Sequence, residues 1–293
     1  MINVRIGFVG LPRLCRALAN QLSNNGLDAQ DYSCKTTLAP DADIVHEVYA
    51  GSGGPIALTA KLAGKKVVRH WIGSDVLEYT DRRPPRLQMR VLKLPGALNA
   101  LTTVNASIWN NLQSELPFAS KVLPIATEEY AKAKPAGKPS NKVLCYSGGG
   151  REWKYGLDYI LQTASKCPQL EFRVLSCIDT RLDVPSNVNL LGRVDAVKLE
   201  EEYANCLALY RPSRHDGLPG MVLEALARQI PVLYSQELPH CALYASPEQA
   251  AEWLNELADN PRRLPLKARD WVVENFSTRK LAKQYETFYE ELL

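Results

Sequence analysis

Short apolar runs alternate with longer segments whose apolar positions recur at helical spacing, along almost the whole chain. Near the start, an apolar run at residues 4–9 precedes a helical pattern at 14–22. This alternation predicts α/β layers that open as a doubly wound sheet, rather than a sandwich or a bundle. Further predicted strands are 43–49, 66–69, 100–104, 121–125, 143–146, 171–175, 187–191 and 206–210. Further predicted helices are 56–63, 106–116, 157–165, 198–205, 248–258 and 266–275.

One segment interrupts the alternation. Residues 132–142 (KAKPAGKPSNK) are rich in Lys, Pro and Gly and show no apolar period, which is typical of a linker. A chain of 293 residues can also form two domains of ordinary size. We therefore expect a first domain at residues 1–135 and a second at 141–265.

The stretch 211–233 (RPSRHDGLPGMVLEALARQIPVL) combines a loop rich in Gly and Pro with a predicted helix. It carries two carboxylates, Asp216 in the loop and Glu224 in the helix. The first amides of a helix favour phosphate, and a neighbouring carboxylate binds sugar hydroxyls. The stretch thus predicts a site for an anionic, hydroxyl-bearing ligand. The alternative is a capped surface helix with an incidental acidic pair.

A second glycine-rich turn follows the predicted strand 143–146. It reads SGGGREWKYG, so that Arg151 and Lys154 come directly after three glycines. No Gly-Lys-Ser/Thr follows, which excludes a Walker loop. Cations beside a glycine turn at the end of a strand favour a phosphate ligand, whereas the alternative is an exposed loop.

These motifs resemble those of the retaining GT-B glycosyltransferases of family 4. The resemblance rests on the stretch 211–233, on the glycine turn with its two cations, and on RHWIGSD at residues 69–75. It implies an α/β GT-B fold of two Rossmann-like domains facing a cleft. The first domain would take the acceptor and the second the nucleotide sugar. A C-terminal helix at about 268–293 would return to the first domain and pack on it through aromatic side chains.

The resemblance also implies roles for individual residues of the donor side. Asp216 stands where the family usually has Glu and would meet the hydroxyls of the donor sugar, while Glu224 would hold the ribose diol. Arg151 and Lys154 would neutralise the diphosphate, with Tyr155 inserted before the glycine that usually follows the Lys. Further donor-binding candidates, largely through their backbone, are Gly217, Leu218, Gly220, Met221, Arg193 and Val194.

In the first domain the resemblance points to His70, at the end of a strand, as a catalytic residue that approaches the donor sugar. Asp75 and Gly10 are candidates on the acceptor side, and the glycine turn 51–54 is expected to face the same crevice. The alternatives are a structural His70 and an Asp75 that caps the next helix. The triplet Asp41-Ala42-Asp43 is read as a solvated turn and not as a metal site.

The resemblance implies that a hexose moves from a nucleotide diphosphate sugar to an acceptor hydroxyl. Transfer would proceed with retention, without a metal and without a cofactor, and a UDP-sugar is favoured over a GDP-sugar. The acceptor would be a sugar or a lipid-linked molecule. The alternative from another functional class is a non-catalytic nucleotide-sugar-binding subunit that supports a partner glycosyltransferase.

The net charge of +3 divides unevenly along the chain. Residues 1–140 hold 17 Lys and Arg against 11 Asp and Glu, a balance of +6; residues 141–293 hold 18 against 21, a balance of −3. A basic first half suggests an anionic acceptor or an acidic membrane surface, or simply uneven solvated charge. Residues 81–93 (DRRPPRLQMRVLK) form a basic amphipathic stretch that suits peripheral membrane contact or a solvated face.

The seven cysteines are scattered and form no C-x-x-C pair, which favours reduced core residues over a disulfide framework or a zinc site. We find neither a signal peptide nor an apolar run long enough to cross a bilayer. We therefore expect a cytoplasmic protein. Contact of residues 81–93 with the inner membrane surface stays one of two alternatives for that stretch, and no nucleic-acid partner is expected.

Overall fold

A computed structural model describes residues 4–34, 41–49, 55–76, 97–101, 120–125 and 129–293. The predicted glycine turn 51–54, the basic stretch 81–93 and the predicted helix 106–116 lie outside the described residues. The chain divides into two compact units. The first comprises Met1–Glu129, Asp216–Leu218 and Asn275–Leu293, and the second comprises Tyr130–His215 and Pro219–Glu274.

The first unit is built on a six-stranded sheet of parallel strands in the order β2-β1-β3-β4-β5-β6. Its strands are β1 (Arg5–Gly10), β2 (Asp28–Asp31), β3 (Ile44–Val48), β4 (Lys66–Trp71), β5 (Ala97–Leu101) and β6 (Ser120–Val122), with helices α1 (Pro12–Ser23) and α2 (Pro55–Leu62). The strand β3 is buried along its whole length, as expected of a parallel strand covered on both faces. The sequence pattern missed β2, because DAQD contains a single apolar residue.

The second unit is built on another six-stranded sheet of parallel strands, in the order β12-β11-β10-β7-β8-β9. Its strands are β7 (Lys142–Tyr146), β8 (Glu171–Leu175), β9 (Val188–Gly192), β10 (Ala208–Arg211), β11 (Val232–Tyr234) and β12 (Ala242–Leu243). Its helices are α3 (Leu157–Ser165), α4 (Ala196–Asn205), α5 (Gly220–Ala227), α6 (Pro247–Asp259) and α7 (Leu266–Phe276). The core lies where α3 and α6 cover β7, β8 and β10.

The segment predicted as a linker is held along the second unit. The amides of Ala136, Gly137 and Ser140 donate to the carbonyls of Arg228, Ala204 and Asn205, at 2.9, 2.8 and 2.9 Å. These backbone groups are therefore paired although the segment shows no apolar period. An apolar period reflects only the side chains, so it cannot reveal hydrogen bonds made by the backbone.

The C-terminal region consists of two helices: the predicted helix 266–275 corresponds to α7, and the helix expected at about 268–293 begins only at Thr278. The second helix, α8 (Thr278–Glu290), begins after Ser277, whose hydroxyl accepts from the amide of Lys280. Trp271 belongs to α7 in the second unit, where its ring meets that of His240 at 5.8 Å between centroids. Four of the six buried side chains of α8 instead join the core of the first unit, and they are Ala282, Tyr285, Phe288 and Tyr289.

Among the described residues, no helix is long and apolar enough to cross a membrane. All seven cysteines are free thiols, and Cys15, Cys145, Cys167, Cys177 and Cys206 are buried.

A chain of buried polar side chains links α8 to the first sheet. The Nδ1 atom of His46 lies 2.7 Å from the hydroxyl of Tyr289, and its Nε2 atom lies 3.1 Å from Nδ1 of His70. All three side chains are inaccessible to solvent, and the rings of Phe8 and Tyr285 flank His46. Burial, with a smaller effect of His70, lowers the pKa of His46 well below its usual range.

Acid should therefore destabilise the first unit. Because the pKa of His46 is lower in the folded chain, only the unfolded chain binds this proton once the pH falls below about 6.5. The contribution of His46 is thus complete above that pH and is lost below it. Going from pH of about 7 to about 5.5 should cost about 1 kcal/mol of unfolding free energy, measured by urea titration. His46→Gln should lose this part of the pH dependence; equal pH dependence in both proteins would contradict the assignment.

Candidate donor site

The loops that carry the predicted donor residues leave the same edge of the second sheet. The strands β7 and β10 are parallel neighbours, with Leu144 opposite Leu209. β7 ends at Tyr146 and β10 ends at Arg211. Ligands of parallel α/β sheets bind at this carboxyl edge.

The glycine turn after β7 has a backbone that side chains disfavour. Gly148, Gly149 and Gly150 have φ angles of 81°, 46° and 81°. A Cβ atom at Gly148 would lie 2.0 Å from the ring of Tyr155, whereas one at Gly150 would meet nothing within 4 Å. The ring of Tyr155 therefore occupies space that only a glycine at position 148 leaves open.

Two buried cations lie against this ring. The Cζ atom of Arg211 is 4.6 Å from the ring centroid of Tyr155, and the Nζ atom of Lys154 is 5.1 Å from it. Arg211 also lies 5.0 Å from the ring of Tyr146, and the two tyrosine rings meet edge-on. Arg211 is 5% and Lys154 8% exposed. A cation over an aromatic face is attracted to it, which fixes the position of both charges.

The loops after β7 and β10 are also joined to each other. The amide of Arg214 donates to the carbonyl of Lys154 at 2.9 Å. The guanidinium of Arg214 donates to both carboxylate oxygens of Asp158, at 2.8 and 2.6 Å, and lowers the pKa of Asp158. A Cβ at Gly156 would lie 2.1 Å from the carbonyl oxygen of Pro212, so these loops approach as closely as their backbones allow.

Arg151 and Lys154, predicted together, have different surroundings. The side chain of Lys154 is buried, whereas Arg151 is exposed at the rim of the turn. The carbonyl of Arg151 accepts the amide of Tyr155 at 3.2 Å. The carboxylate of Glu152 accepts the amide of Gly150 at 2.7 Å, which stabilises the turn between them.

Glu224 lies in α5 with its carboxylate buried near the start of that helix. Its Oε2 atom accepts the hydroxyl of Tyr203, from α4, at 2.8 Å. Its Oε1 atom lies 3.5 Å from the position of a Cβ on Gly220, the first residue of the helix. Burial, followed by the charge of Glu224, raises the pKa of Tyr203, so this hydroxyl remains a donor. The residue before the helix, Pro219, provides no side-chain cap.

The remaining donor candidates occupy several positions. Gly220 and Met221 form the first turn of α5, where backbone amides lack partners within the helix. Arg193 is exposed and Val194 half-buried, directly after β9 and before Asp195, whose side chain caps α4. Asp216, Gly217 and Leu218 group with the first unit, and Asp216 is buried.

The first unit holds the other three predicted residues. The side chain of His70 makes the buried contact with His46 that is described above. Asp75 accepts the amides of Ile72, Gly73 and Val76 at 3.0, 2.8 and 3.1 Å. Gly10 ends β1 with a φ of 116°.

The triplet at 41–43 also has structural partners. The carboxylate of Asp41 forms an ion pair with Arg5, and that of Asp43 accepts the amide of Arg5 at 2.9 Å. Among the described residues, no three His, Cys, Asp or Glu side chains are grouped so as to hold a metal ion.

No family model and no curated protein matches the chain. Solved structures do match it. HepE from Anabaena, in complex with UDP-glucose, has a TM-score of 0.73 at 13% identity, covering 98% of this chain and all of that one. Sucrose-phosphate synthase from Thermosynechococcus elongatus has a TM-score of 0.67 at 15% identity, covering 86% and 74%. The pneumococcal O-GlcNAc transferase GtfA, in complex with UDP and GlcNAc, has a TM-score of 0.58 at 11% identity, covering 85% of this chain and 56% of that one.

The chain shares the fold of these proteins. They are glycosyltransferases of the GT-B type, so the predicted α/β architecture with two parallel sheets agrees with them. At such low identities the similarity establishes the fold alone.

Sequence reasoning missed two side chains of the donor region. Arg211 appeared only as the first residue of the 211–233 stretch, although a charge on the last position of a buried strand is a usable signal. Tyr203 was missed because an aromatic residue in an amphipathic helix normally signals core packing. Its partner Glu224 is 21 positions away, beyond the reach of any local pattern.

Alanine substitutions should distinguish the two strained glycines. Gly148→Ala and Gly150→Ala both place a side chain at a φ of 81°, which costs about 1–2 kcal/mol of unfolding free energy. Only Gly148→Ala also collides with Tyr155, and it should cost a further 1–3 kcal/mol or so. Urea unfolding of both variants measures the difference. Equal losses would show that Tyr155 does not occupy the space beside Gly148.

Proposed function

We propose that the protein is a glycosyltransferase that moves a hexose from a nucleotide diphosphate sugar to an acceptor hydroxyl, with the second unit binding the donor. The observation that carries the proposal is the set of groups on the loops after β7 and β10. A glycine turn, the buried Lys154, the start of α5 and the buried Glu224 follow neighbouring parallel strands. The similar fold of HepE, in complex with UDP-glucose, supports the same function.

The chemistry assigned to these groups is charge stabilisation. The bond between the anomeric carbon and the diphosphate oxygen breaks, the acceptor oxygen bonds to that carbon, and the proton of the acceptor hydroxyl passes to an oxygen of the departing diphosphate. The departing nucleoside diphosphate gains negative charge, which Lys154 and the first amides of α5 would stabilise. Glu224 would accept hydrogen bonds from the ribose diol, with Tyr203 holding its second oxygen.

The finer parts of the proposal come from the family resemblance. They are membership of family 4, retention at the anomeric carbon, transfer without a metal or a cofactor, and UDP as the preferred nucleotide. The acceptor would be a sugar or a lipid-linked molecule, and Asp216 and His70 would meet the donor sugar. Cytoplasmic location, inferred from the scattered cysteines, and membrane contact through residues 81–93, inferred from their basic amphipathic pattern, also remain predictions.

A non-catalytic subunit that binds a nucleotide sugar is the second candidate. Its support is Asp216, which is shorter by one methylene than the Glu usual in the family and would reach less far towards the sugar. Both candidates predict nucleotide binding, and only turnover separates them.

A nucleotide panel tests donor binding and turnover separately. UDP should raise the midpoint of thermal unfolding more than GDP or ADP at equal concentration, because a ligand stabilises the folded state that binds it. UDP-glucose and UDP-GlcNAc should then be hydrolysed or transferred with release of UDP, measured by a coupled assay. Binding without turnover of any donor would favour the non-catalytic subunit. No binding of any nucleotide would contradict both candidates.

Glu224→Gln tests the ribose contact. The substitution keeps the shape of the side chain and removes its charge, so UDP and uridine should both bind roughly tenfold more weakly. Isothermal titration calorimetry measures both affinities. Glu201→Gln, on the exposed surface of α4, is the matched control and should bind as the native protein does. Unchanged affinity in Glu224→Gln would remove Glu224 from the site.

A further inference from the structure

We infer that Arg211 is a diphosphate-binding residue and that Tyr155 positions it together with Lys154. The inference rests on the proposed function and deepens it. It assigns the second cation of the site to Arg211, at the end of β10, in place of the exposed Arg151.

Two positive charges converge on one ring. The Cζ atom of Arg211 and the Nζ atom of Lys154 lie 4.6 and 5.1 Å from the centroid of Tyr155. A cation over the face of an aromatic ring is attracted to it, so the ring of Tyr155 fixes where both charges lie. A doubly charged anion such as a diphosphate carries one negative charge for each of these two cations.

The cluster of Tyr155, Lys154 and Arg211 also lies where a phosphate ligand is expected. Tyr155 interrupts the Lys-Gly pair that the motif usually has, and its ring fills the space beside Gly148. The cluster thus lies where the glycine turn and the loop after β10 meet, at the carboxyl edge of the sheet. The low exposure of Arg211 and Lys154 excludes water and strengthens their attraction to an anion.

The guanidinium of Arg211 suits a phosphate ligand. It lies against the rings of both Tyr146 and Tyr155, which restrict its orientation. A planar guanidinium can donate two parallel hydrogen bonds to phosphate oxygens, and restricting it beforehand reduces the entropy lost on binding. The opposing interpretation is a purely structural stack that holds the loop after β7.

Arg211→Gln tests the inference by comparing two probes, UDP and uridine. Loss of a diphosphate contact should weaken UDP binding roughly tenfold or more and leave uridine within about twofold. Arg211→Lys keeps the charge but lacks the planar guanidinium with its two parallel donors. It should weaken UDP binding to an intermediate extent. Tyr155→Leu should weaken the binding of UDP but not of uridine. Tyr155→Phe keeps the ring and should bind UDP nearly as tightly as the native protein does. Calorimetry measures the affinities and circular dichroism the folding of each variant.

Arg173→Gln is the matched control, because it removes one Arg of the same unit that instead pairs with Glu202 at 2.5 Å. It should leave the affinity for UDP unchanged. A folded Arg211→Gln that binds UDP like the native protein, or loses UDP and uridine equally, would overturn the inference. If Arg211→Gln does not fold, the affinities of Arg211→Lys and Tyr155→Leu for UDP and for uridine are compared in the same way to test the inference. Failure of the native protein to bind UDP at all would overturn the proposed function instead.

Discussion

The candidate donor site depends on one close approach, between the backbone of Gly148 and the ring of Tyr155. A Cβ atom at position 148 would lie 2.0 Å from that ring, so a side chain there would force Tyr155 or the turn after β7 to move. The ring in turn lies against Arg211 and Lys154. The absence of a side chain at Gly148 therefore makes room for the ring that contacts both buried charges.

The same loops illustrate how polar groups become fixed in the second unit. Asp158 is paired with Arg214, whose amide also binds the backbone of Lys154, and Glu224 accepts from Tyr203. Each of these contacts joins residues from different segments of the chain, and for the buried Glu224 the hydrogen bond offsets part of the cost of removing the charge from water. The positions of these side chains therefore depend on the packing of the whole sheet.

The sequence predicted the features that local pattern controls. The periodicity of residues 143–165 and 206–233 located β7, α3, β10 and α5, and the glycines marked the turn. It missed β2, whose polar residues carry no strand signal, and it placed the start of the C-terminal helix too early, because that start is set by the single cap Ser277. It also missed Tyr203 and Arg211, since their contacts join segments far apart in the chain.

The most direct test of the account is a crystal structure of the full chain with bound UDP. We expect the diphosphate within hydrogen-bonding distance of Lys154 and Arg211, and the ribose hydroxyls on the carboxylate of Glu224. UDP bound elsewhere, with these three side chains in contact only with protein, would contradict the central claim that the second unit binds the donor.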